Sequence, residues 1–246
     1  MPDGRRLGTK DLALIAVFTA LYVVFGVLKI SPIIGLPGQA ITAAALIAPI
    51  IGILLGPYVG ALSTFLGGTI GFYVTWFPLP SLFSGTCAAL CSGLLYRGKR
   101  IVAFLIYFLL FIFLAFYPVI GPVWLFPAYV WFQLLAMIVL ASPLQSWALK
   151  RFRSENKPSL LYAFFLTCLV STMLGQIAGT LTFEVIMTPD PNFFLGNWMT
   201  TMLYYPLERV IIAFGAALIG MPLLKILERA NLMPILNRAI ARERVS

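Results

Sequence analysis

The chain has 246 residues, of which 61% are hydrophobic and only 10% charged, and its formal net charge is +9. Soluble domains carry about a quarter charged residues, so this composition cannot coat a water-exposed surface and excludes an ordinary soluble fold. The positive charge does not form a nucleic-acid patch either. It falls in four short clusters between apolar runs: Arg5, Arg6 and Lys10; Arg97, Lys99 and Arg100; Lys150, Arg151, Arg153 and Lys157; and Lys225, Arg229, Arg238, Arg242 and Arg244. That is the distribution of cytoplasmic loops, where Lys and Arg resist translocation and face anionic lipid.

A helix needs roughly 17 to 25 mostly apolar residues to cross about 30 Å of hydrocarbon. Taken in chain order, the segments that qualify lie near 11–29, 39–55, 57–76, 81–97, 101–117, 122–148, 159–188 and 198–228. Proline and glycine punctuate the joins at Pro32 and Pro37, Gly56-Pro57, Pro78 and Pro80, Pro118 with Gly121-Pro122, and Pro189 with Pro191. The first run ends at Lys29-Ile30-Ser31-Pro32 without a small-x-small cleavage site, so it is read as a span and not as a secretory signal. Even numbers of spans separate the basic clusters, which places them all on one side and leaves Lys29 as the basic residue outside. The expected fold is one all-α domain over 1–246, a polytopic transmembrane helix bundle of about eight spans. Both termini are expected in the cytoplasm and the protein in the cell membrane. No charge separates 39–55 from 57–76, and if 39–76 is a re-entrant hairpin the count becomes six.

Membrane enzymology finds little support. The sequence has no Gly-x-x-x-x-Gly-Lys-Ser/Thr loop to cradle ATP, no histidine, and no Asp-rich pair for magnesium. Cys87, Cys91 and Cys168 lie in apolar runs, where thiols act as small hydrophobes. Cys87 and Cys91 stand four apart, but no histidine is present to help complete a metal site. No cofactor, metal or nucleic-acid partner is expected.

Two stretches carry small residues four apart, a spacing that lets helices approach closely in lipid. One runs from Gly52 through Gly56, Gly60 and Thr64 to Gly67, Gly68 and Gly71, and internal packing is its simplest reading. The other is Ala13, Ala16 and Ala20 on the first span, which suits packing within the chain or docking to another subunit. The run Leu12-Ala-Leu-Ile-Ala-Val-Phe-Thr-Ala-Leu-Tyr-Val-Val, a Pro/Gly-containing external loop, and Ile50-Ile-Gly-Ile-Leu-Leu-Gly-Pro-Tyr-Val-Gly-Ala-Leu resemble the S components of energy-coupling factor (ECF) transporters. These capture a vitamin or metal from outside and associate with a shared transmembrane coupling subunit and two ATPases. The resemblance covers roughly the first 95 residues. It implies that Ala13, Ala16 and Ala20 dock to that subunit, and that a substrate site opens outward between the first external loop and the later helices. The family typically has six spans, and the apolar hairpin near 101–148 looks like the extra piece.

Ionisable groups inside a membrane are costly and mark functional sites by default. Here they are Glu184, Glu208 and Arg209. Adjacent helical residues point about 100° apart, so Glu208 and Arg209 cannot both face one partner, and one of them is placed to pair with Glu184, either as a structural ion pair fastening the last two helices or as a substrate contact. Gln39, Trp76, Trp124, Tyr129, Asn192, Asn197, Trp198, Tyr204 and Tyr205 gather at the same outer level, where Trp and Tyr commonly anchor in lipid, with Tyr204 and Glu208 deeper and one turn apart. Stacking rings with a carboxylate and a guanidinium suit a flat, partly polar small molecule. Three functions fit: a substrate-binding subunit of an ECF-type importer for a vitamin or similar micronutrient, a self-sufficient proton- or sodium-coupled secondary transporter, and a membrane scaffold without a ligand.

Overall fold

A computed structural model describes residues 9–152, 154 and 156–229. Arg5, Arg6, Arg153 and the cluster from Arg238 onward lie outside them. The described chain is a helical bundle with one small hairpin. Its elements are α1 (Thr9–Val27), β1 (Lys29–Pro32), β2 (Ala40–Thr42), α2 (Ala44–Leu55), α3 (Pro57–Thr75), α4 (Leu79–Tyr96), α5 (Arg100–Ala115), α6 (Pro122–Leu125), a 3-10 turn (Pro127–Val130), α7 (Trp131–Ala141), α8 (Pro143–Arg151), α9 (Lys157–Ile186) and α10 (Pro191–Arg229).

Seven of the eight apolar segments form one continuous helix each, and prolines break the sixth into α6, the 3-10 turn, α7 and α8. Among the described residues three helices are long and apolar enough to cross a membrane, Leu79–Tyr96, Lys157–Ile186 and Pro191–Arg229. The count rises to four if Pro127–Ala141 and Pro143–Arg151, bent by 64°, form one broken span. Eight full spans are not met on this measure, because several helices are short. The 12 residues of α2 reach about 18 Å at 1.5 Å per residue, well under the hydrocarbon thickness. The residues ahead of it, expected to be helical from 39, instead form β2, antiparallel to β1.

The core is centred on α4 and α9. Small residues make this closeness possible. A Cβ at Gly52 on α2 would overlap the Ala89 carbonyl of α4, and one at Gly67 on α3 would lie 3.0 Å from both the Thr19 carbonyl and the Tyr22 ring of α1. The glycine stripe therefore packs inside the protein, as its spacing suggested. The alanine stripe does not. Ala13, Ala16 and Ala20 are all exposed, alongside Leu12, Val17 and Val24, while the opposite face of α1 buries Ile15, Phe18, Thr19 and Tyr22.

The two ends of the bundle differ chemically. At one, the Arg97 guanidinium fills the space that a side chain at Gly56 would take, and Arg100 donates to the carbonyls of Ala141 and Ser142 at 3.1 Å and to the Ser146 hydroxyl. Arg100 thus satisfies carbonyls left over where α7 ends and the chain turns into α8. Arg151 stacks 3.0 Å above the Trp147 ring. The joins 55–57, 96–100 and 141–151, with the basic side chains of Arg97, Lys99, Arg100, Lys150 and Arg151, share this end. The β1–β2 hairpin, the turn after α3 and the start of α10 share the other.

Candidate functional site

The β1–β2 hairpin lies over the first turns of α10 and is tied to it by side chains. The Ile34 amide donates to the Tyr205 hydroxyl at 3.3 Å, the Asn197 side-chain amide donates to the Ile34 carbonyl at 3.2 Å, and the Ser31 hydroxyl donates to Glu208 Oε2 at 3.0 Å. Gly35, at φ +91°, makes the tight approach possible, since a Cβ there would sit 2.5 Å from Asn197 Nδ2 and 2.9 Å from the Phe183 ring. Only glycine combines that left-handed conformation with so little room.

Beneath the hairpin is a cleft of about 680 Å3, counting its open mouth. Tyr22 of α1 and Phe77 form one wall, in edge contact at 6.0 Å. Ser81, Ser84 and Gly85 of α4 and Gln176, Gly179, Thr180 and Phe183 of α9 form the floor. Asn197, Trp198, Tyr205 and Arg209 of α10 form the other wall, and Ile33, Ile34, Ile41 and Thr42 close the top. Mostly apolar walls with a few converging polar groups are the usual make-up of a small-molecule site.

Of the residues expected to bind substrate, Trp198, Tyr205 and Arg209 line this cavity. Trp198 is fixed by a 3.0 Å hydrogen bond from its indole N–H to the Ile120 carbonyl and by the Tyr129 ring at 4.5 Å. Pro206 matters here as well. It has no N–H for the Met202 carbonyl four residues earlier, and the Trp131 indole donates to that carbonyl instead, at 3.1 Å.

The other expected residues do not line it. Trp76 ends α3 in a left-handed conformation at φ 57° and is 84% exposed, while its neighbour Phe77 is buried and takes the wall. Asn192 is exposed on the first turn of α10, and Gln39 is half-buried, its backbone spent on the hairpin turn through Ile33 and Leu36. Tyr204 is 38% exposed, because the face of α10 turned to the cavity carries Trp198, Tyr205 two turns on and Arg209 one turn further. Tyr204 with Glu208 is the neighbouring stripe, about 100° away. Glu208 lies behind the wall. Its Oε1 is 3.1 Å from Arg209 Nη2, so these sequence neighbours pair with each other and the expected partnership with Glu184 is not formed. Glu184 is 1% exposed, with neither carboxylate oxygen hydrogen-bonded, and lies within electrostatic range of the Tyr129 hydroxyl.

Tyr22, Thr42, Ser81, Ser84, Gln176 and Thr180 were not foreseen. Gln176 had a readable signal, an amide at the middle of a long apolar helix, where polar side chains need partners. Nothing in the sequence marks the serines of α4, since hydroxyls in membrane helices commonly bond their own backbone. The three cysteines are free thiols, Cys91 and Cys168 fully buried. Comparison with known proteins returns no match to a family model, a curated protein or a solved structure.

Proposed function

We propose that this protein is the substrate-binding membrane subunit of an ECF-type importer, capturing a vitamin or similar micronutrient from outside and taking its energy from partner ATPases. The observation that carries the proposal is the cavity under the β1–β2 hairpin, roofed by chain that only hydrogen bonds and side-chain packing hold to α10. The basic end is then cytoplasmic, with both termini, and the chain makes eight passes of the cell membrane, the short helices α2 and α5 among them. Ala13, Ala16 and Ala20 form the docking surface for a transmembrane coupling subunit that brings two ATPase subunits. Their exposure supports this, since nothing else in the described chain uses them. The protein itself is not an enzyme.

A second reading, a proton- or sodium-coupled secondary transporter, draws on one observation: Glu184 is buried with both carboxylate oxygens unpartnered, as an ion-exchanging carboxylate would be. One experiment separates the two. The protein purified alone and sealed into vesicles under proton or sodium gradients is expected to bind small molecules from a micronutrient mixture without concentrating them. Gradient-driven accumulation by the chain alone overturns the importer-subunit proposal in favour of the second reading. Sidedness is checked by labelling single cysteines in intact cells. Positions 98 and 154 are expected to be protected and positions 119 and 192 labelled from outside, and external labelling at 154 overturns the topology.

A further inference from the structure

We infer that the ligand of the hairpin-covered cavity is a small molecule with an oxyanionic group, a carboxylate or its equivalent, seated on Arg209, and with an apolar or ring-containing body. The inference rests on the capture reading above and deepens it. Arg209 is the sole Arg, Lys, Asp or Glu lining the cavity among the described residues; Glu208 and Glu184 are absent from its walls. Arg209 is 5% exposed, and its Nε has no hydrogen-bond partner. Glu208 does not cancel this. The carboxylate is engaged by Arg209 Nη2 and the Ser31 hydroxyl and its residue is absent from the cavity lining, which leaves Nε as the donor for an incoming anion. A cation would meet the guanidinium first in a setting of low dielectric, where like charges repel strongly.

Two further wall atoms narrow the chemistry. Gln176 Oε1 and Thr42 Oγ1 are buried and unpartnered. The first accepts and the second can do either, so a ligand N–H or O–H complements them, whereas burying them against a purely apolar molecule would leave their desolvation uncompensated. Trp198, Tyr205, Phe183 and Phe77 supply the aromatic surface for the body of the ligand.

The test uses the full-length protein in detergent and a cell extract of small molecules divided by ion exchange into anionic, cationic and neutral fractions. Each fraction is equilibrated with the protein, the excess is washed away, and retained molecules are released and weighed by mass spectrometry. Saturable retention from the anionic fraction is expected. Replacing both charges, Glu208→Gln with Arg209→Gln, strands neither partner and is expected to weaken that retention about 10- to 100-fold, the worth of charge-assisted hydrogen bonds. Arg209→Lys, which keeps the charge but loses the planar fork, is expected to fall between and serves if the double variant does not fold. Retention only from the cationic or neutral fraction overturns the anionic assignment and leaves the capture reading standing. Retention from none of the three overturns both, and anion retention undiminished in a folded variant removes Arg209 from the site.

Discussion

Two stripes of small residues at the same spacing have opposite fates in this protein. The glycine stripe from Gly52 to Gly71 is consumed inside the bundle, where α2 and α3 pack against α1 and α4. The alanine stripe of α1 faces outward with Leu12, Val17 and Val24. Small-xxx-small spacing thus states that a close approach is possible, and only the fold states whether the approach is to the same chain. The residue types foreshadow the outcome. Glycine lets backbone meet backbone, as at Gly52 against the Ala89 carbonyl, whereas alanine presents a shallow methyl surface on which another helix can lie.

The buried stripe is most sensitive at Gly52. Gly52→Leu forces a branched side chain into the Ala89 carbonyl of α4, where backbone on both sides leaves nothing to rotate away. The expected cost exceeds the usual 1 to 3 kcal/mol of overpacking, and the purified variant should lose its sharp size-exclusion peak and its thermal transition. A wild-type melting temperature would show that α2 and α4 are not as close as described. Gly67→Ala is gentler. The added Cβ would stand 3.0 Å from the Thr19 carbonyl and the Tyr22 ring, so neighbours must yield by a few tenths of an ångström. A loss of about 1 kcal/mol is expected, seen as a melting temperature lowered by a few degrees.

The same contrast explains what the sequence made legible. Long apolar runs are cheap to read because a bilayer demands them, and α4, α9 and α10 fall where composition places them. Prolines at 122, 127 and 143 mark where the sixth segment breaks, although its total length of apolar residues suggested one span. The hairpin was legible only as a loop with Pro and Gly, because four residues of β1 and three of β2 are too short to show a period of two. Within the site, the sequence located the right part of α10 but named two neighbouring stripes without choosing between them: Tyr205 and Arg209 line the cavity, and Tyr204 and Glu208 do not. An ambiguity of 100° is inherent when every face of a helix is apolar or aromatic, since periodicity then has no polar side to contrast with a buried one. Trp76, named in place of Phe77, is an outright error at the end of α3, where a left-handed residue reverses which side chain points inward.

The smallest effect on stability is expected at the exposed stripe. Ala16→Leu together with Ala20→Leu adds bulk to an outward face, and surface substitutions of this kind are usually within ±0.5 kcal/mol of neutral. The melting temperature of the isolated protein should not move. Ligand retention should not move either, because α1 carries Tyr22 into the cavity wall on a face turned away from both alanines. Association with a transmembrane partner is where the change should be read, since two added side chains hold a docking helix off the backbone. Co-purification of partner subunits from the native membrane is therefore expected to fall to background while the chain itself remains folded and loaded. If the double variant instead melts several degrees lower, the alanines are packed within the protein after all and the two stripes are alike. If it folds, binds and still brings partner subunits through purification at wild-type yield, the outward face of α1 is lipid-facing surface, and the docking site lies on another part of the bundle.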